Sequence, residues 1–588
     1  MMFRRLRHYV VRNKTDYILG VLTTIVYAGF FVALPVTVGW CIQALVEGMP
    51  AEEVGRRCAV LFVIAVARSG VRFFSRVRIF NAARQIEYQI RNDLFEHLQR
   101  LPQSFYFRWR TGDLMSRCVN DLTSVRLMLG PGLLSVAQTP VLVGATLAAM
   151  FYLNPKLAAL VLIPYPLFIL ISRAFGRAMH SSNLAVQVGL ADMSNHLQET
   201  VSGIAVVKAY AMEDHTRGRF ADLCEELYHR QIRVARVNGA MPAVTSLLPM
   251  VGMWIIFLVG GGAVAAGEMT IAEFFTFSMF NYELTFPIFI MGWVFNLVQR
   301  GTASVQRIDE VLSSEPAIAD PADPVDLVDP RGEIEFRDLT FRYPGSDREP
   351  ALREVNLHVA AGSVLGIVGP VGSGKTTLAS LIPRLYEVED GHVFIDGIDV
   401  NHIALHPLRR SIASVPQDSF LFSMTLADNV AYGLPSTEPA EVLRAAERAQ
   451  LAKDVAELPE RYETVVGERG VMLSGGQRQR TALARALALD PAILILDDTL
   501  SAVDAETEAA IQKNLSEVFQ GRTVVIVASR VTTVRDADLI VVLDEGRIVE
   551  RGTHASLLAE GGLYARLAQD QAALDQRAAQ AQALEARG

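Results

Sequence analysis

The sequence predicts an all-α membrane domain with six spans, fused to a soluble α/β domain. Of its 588 residues, 51% are hydrophobic, and the long apolar runs lie in the first half of the chain. The second half alternates short apolar strands, helices and turns, as soluble α/β domains do. A chain of this length is long enough for several domains. The change in composition near residue 315 predicts the main boundary between them.

Six segments of the first half are apolar enough to cross a bilayer, which takes about 20 residues of helix. They are centred on residues 17–45, 57–79, 128–153, 156–176, 243–266 and 272–298. Short loops alternate with long, charged connections that keep a helical pattern. We therefore expect helices that continue beyond the membrane on one side, by roughly 30 Å for every 20 residues.

Basic residues cluster just before the first apolar run: Arg4, Arg5, Arg7, Arg12 and Lys14. The positive-inside rule predicts that this end lies in the cytosol. A signal peptide is the alternative, but its apolar run would be shorter and would end at a small-residue cleavage site. The sequence therefore predicts a multi-pass protein of the cell (cytoplasmic) membrane, with its N-terminus and soluble domain in the cytosol.

The predicted domain boundaries follow composition. The membrane domain covers residues 1–314, a proline-rich acidic linker 315–332, the soluble domain 333–570 and an Ala/Gln-rich helical tail 571–588. Prolines at this density interrupt both helices and strands, which is why the linker is expected to be irregular. The net charge of −8 argues against a nucleic-acid-binding surface.

A phosphate-binding loop follows the first clear strand of the soluble domain. Residues 364–368 are apolar, and residues 369–376 read GPVGSGKT. This is a complete P-loop in its strand-to-helix context, and it predicts ATP and Mg²⁺ as ligands. Lys375 would supply a charge to the β- and γ-phosphates, and the Thr376 hydroxyl would ligate Mg²⁺. The other predicted nucleotide contacts from this segment are Gly369, Gly372, Ser373, Gly374 and Thr377.

A second apolar strand, residues 493–497, ends in Asp497. In P-loop enzymes a carboxylate at this place helps to hold Mg²⁺. The alternative is an ordinary aspartate at the end of a core strand, but its position after a phosphate-binding unit favours the metal-binding interpretation.

Between these two motifs, residues 473–477 read LSGGQ and precede a helical run. A Ser-Gly-Gly turn that enters a helix is typical of an anion-binding N-terminus. At this point the soluble domain resembles the nucleotide-binding domain of ABC transporters. In that family the signature motif, here Ser474, Gly475, Gly476 and Gln477, closes over the γ-phosphate of ATP held by the opposite subunit.

Further stretches match landmarks of the same family, and the resemblance covers nearly the whole chain in order. It implies that Tyr343 stacks on adenine and that Gln417 senses both Mg²⁺ and the membrane domain. It also implies a dimer-contact loop at residues 501–504 and an exporter-type loop at 466–470. In the membrane half, residues 111–121 and 202–210 are similar to the intracellular coupling regions of exporter half-transporters.

Two residues depart from the family pattern. Asp498 stands where a glutamate usually positions or deprotonates the attacking water, and Ser529 stands where a histidine usually contacts the γ-phosphate. A shorter carboxylate reaches the water poorly, and a hydroxyl does not replace imidazole. Loss of a positioned base typically slows a reaction about 10²–10⁴-fold.

These departures, with an intact signature motif, resemble the weakened-site subunit of bacterial heterodimeric multidrug exporters. The resemblance implies a partner half-transporter with the usual glutamate, whose P-loop the Ser474–Gln477 motif completes. The alternative is a homodimer that remains active with Asp498.

The cargo is expected to be a hydrophobic or amphipathic compound moved out of the cytosol or inner leaflet. The sixth span is rich in aromatic residues, some of which are candidates for a cargo cavity, and Glu283 is a candidate polar contact. Arg68, Arg72 and Arg76 recur on one face of the second span, either to meet an anion or because they lie at the headgroup level.

A lipid flippase is the nearest alternative to a multidrug exporter, and a non-transporting ATP-regulated membrane protein or channel is a more distant one. A peptide-processing transporter would carry an N-terminal cysteine protease domain, and only a short basic segment precedes the first span. An importer usually has its cassette on a separate chain, so the fused layout disfavours it.

Overall fold

The computed structural model of the chain describes residues 2–345, 349–467, 473–499 and 519–573. The chain divides into two compact units. The first contains the chain up to Leu98 together with Gly112–Ser313, and the second contains Gln99–Thr111 and the chain from Ser314 onward. The segment 99–111 therefore groups with the soluble domain, although composition assigns it to the membrane domain.

The chain up to Leu312 forms helices joined by short turns wherever it is described. The helices are α1 (Met2–Arg12), α2 (Lys14–Val46), α3 (Ala51–Arg100), α4 (Gln103–Arg108), α5 (Thr111–Leu153), α6 (Pro155–Ser202), α7 (Ile204–Ala209), α8 (Glu213–Ala265) and α9 (Ile271–Leu312). Short π-helical segments interrupt α5 and α8: Arg117–Asp121, Met128–Gly132 and Ile256–Gly260. At 1.5 Å per residue, the 50 residues of α3 extend for about 75 Å, more than twice the thickness of a bilayer core.

Five helices in the described part of the chain are long and apolar enough to cross a membrane, namely α2, α3, α5, α6 and α8. The first four predicted spans fall within them, and the fifth, 243–266, lies in α8 except for its last residue. The sixth predicted span lies in α9, which has 42 residues. Its apolar run is interrupted by Asn281 and Glu283, which makes this helix less apolar than the other five.

The membrane helices pack closely where small residues meet. At Gly20 a side chain has no room, because a Cβ there would lie 2.4 Å from Cγ1 of Ile79 on α3. On the same face, Ser75 Oγ donates to the Gly20 carbonyl oxygen over 2.9 Å and lies 3.2 Å from Thr24 Oγ1. Small and hydroxylated residues of this kind let helix backbones approach inside a membrane.

The second unit contains ten strands in the described residues. They are β1 (Ile334–Phe341), β2 (Leu352–Val359), β3 (Val364–Val368), β4 (Val393–Ile395), β5 (Ile398–Asp399), β6 (Ile412–Val415), β7 (Ile493–Asp497), β8 (Thr523–Val527), β9 (Leu539–Asp544) and β10 (Arg547–Gly552). Its helices are α10 (Lys375–Leu381), α11 (Leu405–Arg410), α12 (Leu426–Val430), α13 (Pro439–Arg448), α14 (Ala452–Glu457), α15 (Gly475–Ala488) and α16 (His554–Glu560).

The strands form two sheets. One is antiparallel with the order β2-β1-β4-β5, and the other has the order β10-β9-β3-β8-β7-β6. In the larger sheet β9, β3, β8, β7 and β6 are parallel, while β10 pairs antiparallel at the edge. The central strands are apolar along their length, and β7 is buried at every position, as parallel strands covered on both faces are.

The topology of the larger sheet positions the predicted site. Strand β8 lies between β3 and β7 and is parallel to both. The carboxyl ends of the three strands therefore lie side by side at one edge, where α/β sheets bind ligands. The P-loop follows β3, Asp497 ends β7, and Ser529 comes two residues after β8.

The proline-rich segment 315–332 has no strand or helix, and one isolated bridge joins Val325 to Ile403. Asp320 Oδ1 accepts a hydrogen bond from the backbone N–H of Leu405 over 2.7 Å. Three expectations fall outside the described residues, in whole or in large part: the dimer-contact loop 501–504, residues 468–470 of the exporter-type loop, and the tail beyond residue 573.

Candidate nucleotide-binding site

The P-loop connects β3 to α10 through a backbone that requires glycine. Gly374 has a φ of +100°, a conformation that costs other residues free energy. A Cβ there would also lie 2.7 Å from the carbonyl oxygen of Ala351. Gly369 and Gly372 form the rest of the loop. Consecutive backbone N–H groups in a turn of this kind can form a concave anion-binding site.

Two polar side chains of the loop face its interior. Lys375 Nζ donates to the carbonyl oxygens of Gly369 over 2.9 Å and Pro370 over 2.8 Å. Ser373 is 3% exposed, and its Oγ is buried with no hydrogen-bond partner among the described residues. A buried hydroxyl without a partner is costly. A phosphate oxygen in the loop would satisfy it, so the residues fit the predicted nucleotide.

Thr376 and Asp497 lie together; with Gln417 they are the three residues predicted to contact Mg²⁺. Thr376 Oγ1 donates to Asp497 Oδ1 over 3.2 Å. Burial raises the pKa of Asp497, and the neighbouring Asp498 adds to this effect, while Thr376 and Lys375 oppose it. An adjacent divalent cation would offset the burial of this carboxylate, which is the charge balance that a P-loop metal site needs.

Asp498 begins the turn after β7 in a left-handed conformation, with a φ of +46°. Its backbone N–H donates to the Val527 carbonyl oxygen over 2.8 Å, which ties the turn to the end of β8. This connection places the side chain of Asp498 beside Ser529. The two departures from the family pattern are therefore direct neighbours.

The carboxylate of Asp498 accepts hydrogen bonds from Ser529 and from Gln417. Ser529 Oγ lies 2.9 Å from Oδ1 and 3.0 Å from Oδ2. Gln417 Nε2 donates to Oδ2 over 3.3 Å. The structure thus brings together Gln417, Asp498 and Ser529, the three residues assigned to catalysis from the sequence.

Tyr343 is half-buried and contacts the P-loop helix α10. Its ring packs edge-on against Tyr386 with centroids 5.1 Å apart. Its hydroxyl lies 2.8 Å from Oγ1 of the buried Thr377. The hydroxyl of Thr377 is therefore engaged with Tyr343, and its contact with a nucleotide stays a prediction. The same holds for the stacking of Tyr343 on adenine.

The signature residues form the start of α15. Ser474 Oγ accepts from the backbone N–H of Gln477 over 3.2 Å, and Gln477 Oε1 accepts from the N–H of Ser474 over 3.0 Å. This reciprocal pair is a capping box. Ser474 is exposed, and Gly475 and Gly476 follow it on the first turn. The helix start is therefore open to an anion from outside the chain.

Arg485, a residue that sequence reasoning missed, joins the signature helix to the segment after Gln417. It donates from Nε to the Asn429 carbonyl oxygen over 2.8 Å, from one terminal nitrogen to Asn429 Oδ1 over 2.9 Å, and from the other to the Phe420 carbonyl oxygen over 3.0 Å. Asn429 is fully buried. The arginine lies in the motif-bearing helix, but its partners are about 60 residues away in sequence, so no local pattern indicates the contact.

In the membrane domain, the aromatic residues of α9 divide between core and cavity. Phe277 and Phe280 are fully buried in a core cluster with Phe274. Phe275 and Tyr282 instead line a cavity of about 880 Å³, together with Glu283. Trp293 and Phe295 are exposed. The sixth span has two further aromatic residues, Phe286 and Phe289, whose side chains are outside the described set.

Comparison with known proteins identifies both halves of the chain. The ABC transporter transmembrane region matches residues 17–288, and the ABC transporter family matches residues 352–501. The multidrug resistance-like ATP-binding protein MdlA of Escherichia coli is 35% identical, with 98% of each chain covered. The probable multidrug resistance ABC transporter ATP-binding/permease protein YheI of Bacillus subtilis is 38% identical, with 86% of each chain covered.

Two further relatives widen the comparison. The ATP-dependent lipid A-core flippase of Syntrophus aciditrophicus is 36% identical, covering 87% of this chain and 84% of its own. A bacterial Atm1-family ABC exporter with ATP bound has a similar structure, with a TM-score of 0.77 and 27% identity over 95% of this chain and 99% of its own. The chain therefore belongs to the ABC transporter family, as an exporter half-transporter with an ATP-binding domain whose ATP hydrolysis is coupled to transport.

Proposed function

We propose that this chain is the weakened-site subunit of a heterodimeric exporter of hydrophobic or amphipathic compounds. ATP and Mg²⁺ bind at the site built on Lys375, Thr376 and Asp497 and are hydrolysed there slowly. The Ser474–Gln477 motif completes a faster site on the P-loop of a second half-transporter. The observation that carries the proposal is the hydrogen bonding of Ser529 to both carboxylate oxygens of Asp498.

This contact argues for slow hydrolysis on chemical grounds. A base for the attacking water must present a carboxylate oxygen within hydrogen-bond reach of that water. Asp498 is one methylene shorter than the usual glutamate, its two oxygens share the single proton of the Ser529 hydroxyl, and Oδ2 also accepts from Gln417. The hydroxyl of Ser529 is engaged with this carboxylate and lacks the charge that an imidazolium could offer to a γ-phosphate.

Binding of ATP is supported independently of catalysis. The buried Ser373 hydroxyl, the charge of Lys375 and the paired Thr376 and Asp497 need nothing from Asp498 or Ser529. Such a site can hold ATP while the partner-based site turns over. Closure of the two nucleotide-binding domains on ATP would then shift the membrane domain between its inward and outward states.

The cargo proposal is supported by the cavity and by the relatives. Multidrug names occur among the most similar relatives, which favours varied amphipathic compounds. The lipid A-core flippase relative favours lipid as a second candidate cargo. We place the exporter in the cytoplasmic membrane, with the N-terminus and the nucleotide-binding domain in the cytosol, because basic residues cluster before α2.

The test is the ATPase rate of the full-length chain, purified alone in lipid nanodiscs, with native mass spectrometry of complexes isolated through it from its own cells. We expect a slow rate and a one-to-one complex with a second half-transporter. The double variant Asp498→Glu with Ser529→His should raise hydrolysis by this chain about 10²–10⁴-fold.

The control variant is Asp498→Asn, which keeps the size of the side chain and removes its charge. Under the proposal it lowers the already slow rate very little. A wild-type homodimer that hydrolyses ATP quickly and loses that activity with Asp498→Asn would show that Asp498 is a competent catalytic carboxylate. The heterodimer assignment would then be wrong, while membership of the ABC exporter family would be unaffected.

A further inference from the structure

The membrane domain contains a cavity of about 880 Å³ with an unusual distribution of charge. Residues from α2, α3, α5, α6, α8 and α9 line it. Most of the lining is apolar or aromatic, but Arg68, Arg72 and Arg76 enter it from successive turns of α3. Charged side chains at membrane depth are costly, and they usually face a wet cavity or a partner of opposite charge.

One of the three arginines is already neutralised. Arg68 forms an ion pair with Glu283, with a distance of 3.0 Å from its terminal nitrogen to Oε1, and both side chains are mostly buried. The guanidinium also lies over the ring of Phe31, with Cζ 4.6 Å from the centroid. This pair joins α3 to α9 across the cavity wall and leaves no net charge.

Arg72 and Arg76 have no such compensation. Both are exposed and line the cavity, and neither forms an ion pair or hydrogen bond with any of the described residues. Among the lining residues that the structure describes, Glu283 is the only carboxylate, and Arg68 pairs with it. The lining therefore carries a net charge of about +2 beside an apolar surface.

We propose that this cavity binds an anionic amphiphile, with Arg72 and Arg76 holding its acidic headgroup and the apolar lining holding its chain. Guanidinium groups bind carboxylate, phosphate and sulfate through paired charge-assisted hydrogen bonds. One helical turn separates Arg72 from Arg76, so both can reach one headgroup. Leu142, Phe168 and Met253 supply the apolar contacts. The inference rests on the proposed export function and specifies its cargo.

The experiment measures binding of two fluorescent probes to the full-length chain in phosphatidylcholine nanodiscs by fluorescence anisotropy. The probes are dodecyl phosphate and dodecyltrimethylammonium carrying the same fluorophore, so that they differ in headgroup charge. We expect the phosphate probe to bind at least tenfold more tightly. Loss of one charge-assisted contact should weaken its binding about tenfold, and R72Q with R76Q together about 100-fold.

Two further variants make the test specific. R78Q removes the same charge from the same helix, but Arg78 pairs with Asp16 and does not line the cavity, so the affinity should stay within about twofold. E283Q releases Arg68 from its carboxylate and should strengthen binding of the phosphate probe several-fold. A double R72Q and R76Q variant that failed to fold would be recognised by loss of ATP binding, and E283Q would then decide the question.

Competition identifies the source of the headgroup. Displacement of the probe by dioleoyl phosphatidic acid in the nanodisc supports the inference and points to a membrane lipid. Displacement by unlabelled dodecyl phosphate alone supports it and points to a single-chain amphiphile.

Equal binding of the two probes, or an equal loss in R78Q, would overturn the inference. ATP-dependent movement of the cationic probe by the complex would then leave the export proposal intact. Failure of the complex to bind or move either probe would count against the amphiphile-export proposal itself.

Discussion

Replacement of Arg485 by alanine tests whether this residue holds the nucleotide-binding domain together. The change removes the donors to the Asn429 and Phe420 carbonyl oxygens and to Asn429 Oδ1. Asn429 is fully buried, so its carbonyl oxygen loses a donor that water cannot easily replace, at a cost of about 1–3 kcal/mol. Phe420 is 49% exposed, so its carbonyl can bond to water more cheaply.

The third acceptor, Asn429 Oδ1, keeps a hydrogen-bond donor in the variant, because it also accepts from the Phe422 N–H over 3.0 Å. Lost packing of the arginine methylenes adds about 1 kcal/mol. The expected total is about 2–4 kcal/mol of unfolding free energy. For a domain of 150–250 residues this lowers the Tm by about 4–16 °C.

The assay is scanning calorimetry of the full-length chain in nanodiscs, following the transition that ATP shifts upward. Arg444→Ala is the matched control, since Arg444 lies on neighbouring α13 with 68% of its side chain exposed and a loose 4.0 Å contact to Glu441. We expect that control to change the free energy by less than about 0.5 kcal/mol. If Arg485→Ala were as mild as the control, the three hydrogen bonds would contribute nothing measurable and the reasoning would be wrong.

Three other predictions follow from the described geometry. Burial raises the pKa of Asp497 above the ordinary aspartate value of about 4, so Mg²⁺-dependent ATP binding should already weaken above pH 4 as the pH is lowered. An ATP affinity that stays unchanged down to pH 4 in equilibrium titrations would contradict this. Gly374→Ala should lower the affinity for a fluorescent ATP analogue at least tenfold, because the new Cβ would clash with the Ala351 carbonyl oxygen and the residue has a positive φ. Near-normal affinity would contradict this and mean that the loop can relax around the alanine. Asp121→Asn should lower the unfolding free energy by about 1–2 kcal/mol, because Asp121 is buried but its partner Arg307 is half exposed. Denaturant unfolding at a series of pH values is the measurement. Burial alone would raise the pKa of Asp121, but hydrogen bonds from Arg307 and Ser304 lower it. The contribution of Asp121 to stability is therefore present at neutral pH and lost below about pH 4. If the stability of the variant fell with acid as steeply as that of the wild type, the assignment would be refuted.

The residues of the candidate nucleotide site could be predicted from the sequence because each motif is contiguous in the chain. A P-loop needs a strand, a fixed run of residues and a helix, all of which are contiguous, and the same is true of β7 ending in Asp497. Strand pairing supplies the rest: β8 lies between β3 and β7, so Ser529 and Asp498 meet although 31 residues separate them. The two departures were visible in the sequence, but their hydrogen bond was not.

Contacts between residues far apart in the sequence could not be predicted. Arg68 and Glu283 lie 215 residues apart, and each reads from sequence only as a costly charge in an apolar run. Their pairing depends on the packing of α3 and α9, which no periodicity specifies. The engagement of Thr377 with Tyr343 is similar, since a P-loop pattern does not say that the hydroxyl of the threonine after it bonds to an aromatic neighbour.

The backbone conformation of Asp498 has a consequence for which residues evolution can place at this site. Its φ of +46° lies in a region that aspartate and asparagine tolerate better than residues with longer side chains. Glutamate is less favoured in this conformation, so an Asp498→Glu change in this chain would add local strain, of order 1 kcal/mol. Under the heterodimer proposal the partner supplies the chemistry, and aspartate at this place would relieve that strain. Decay of one catalytic centre would then be favoured by folding as well as permitted by function.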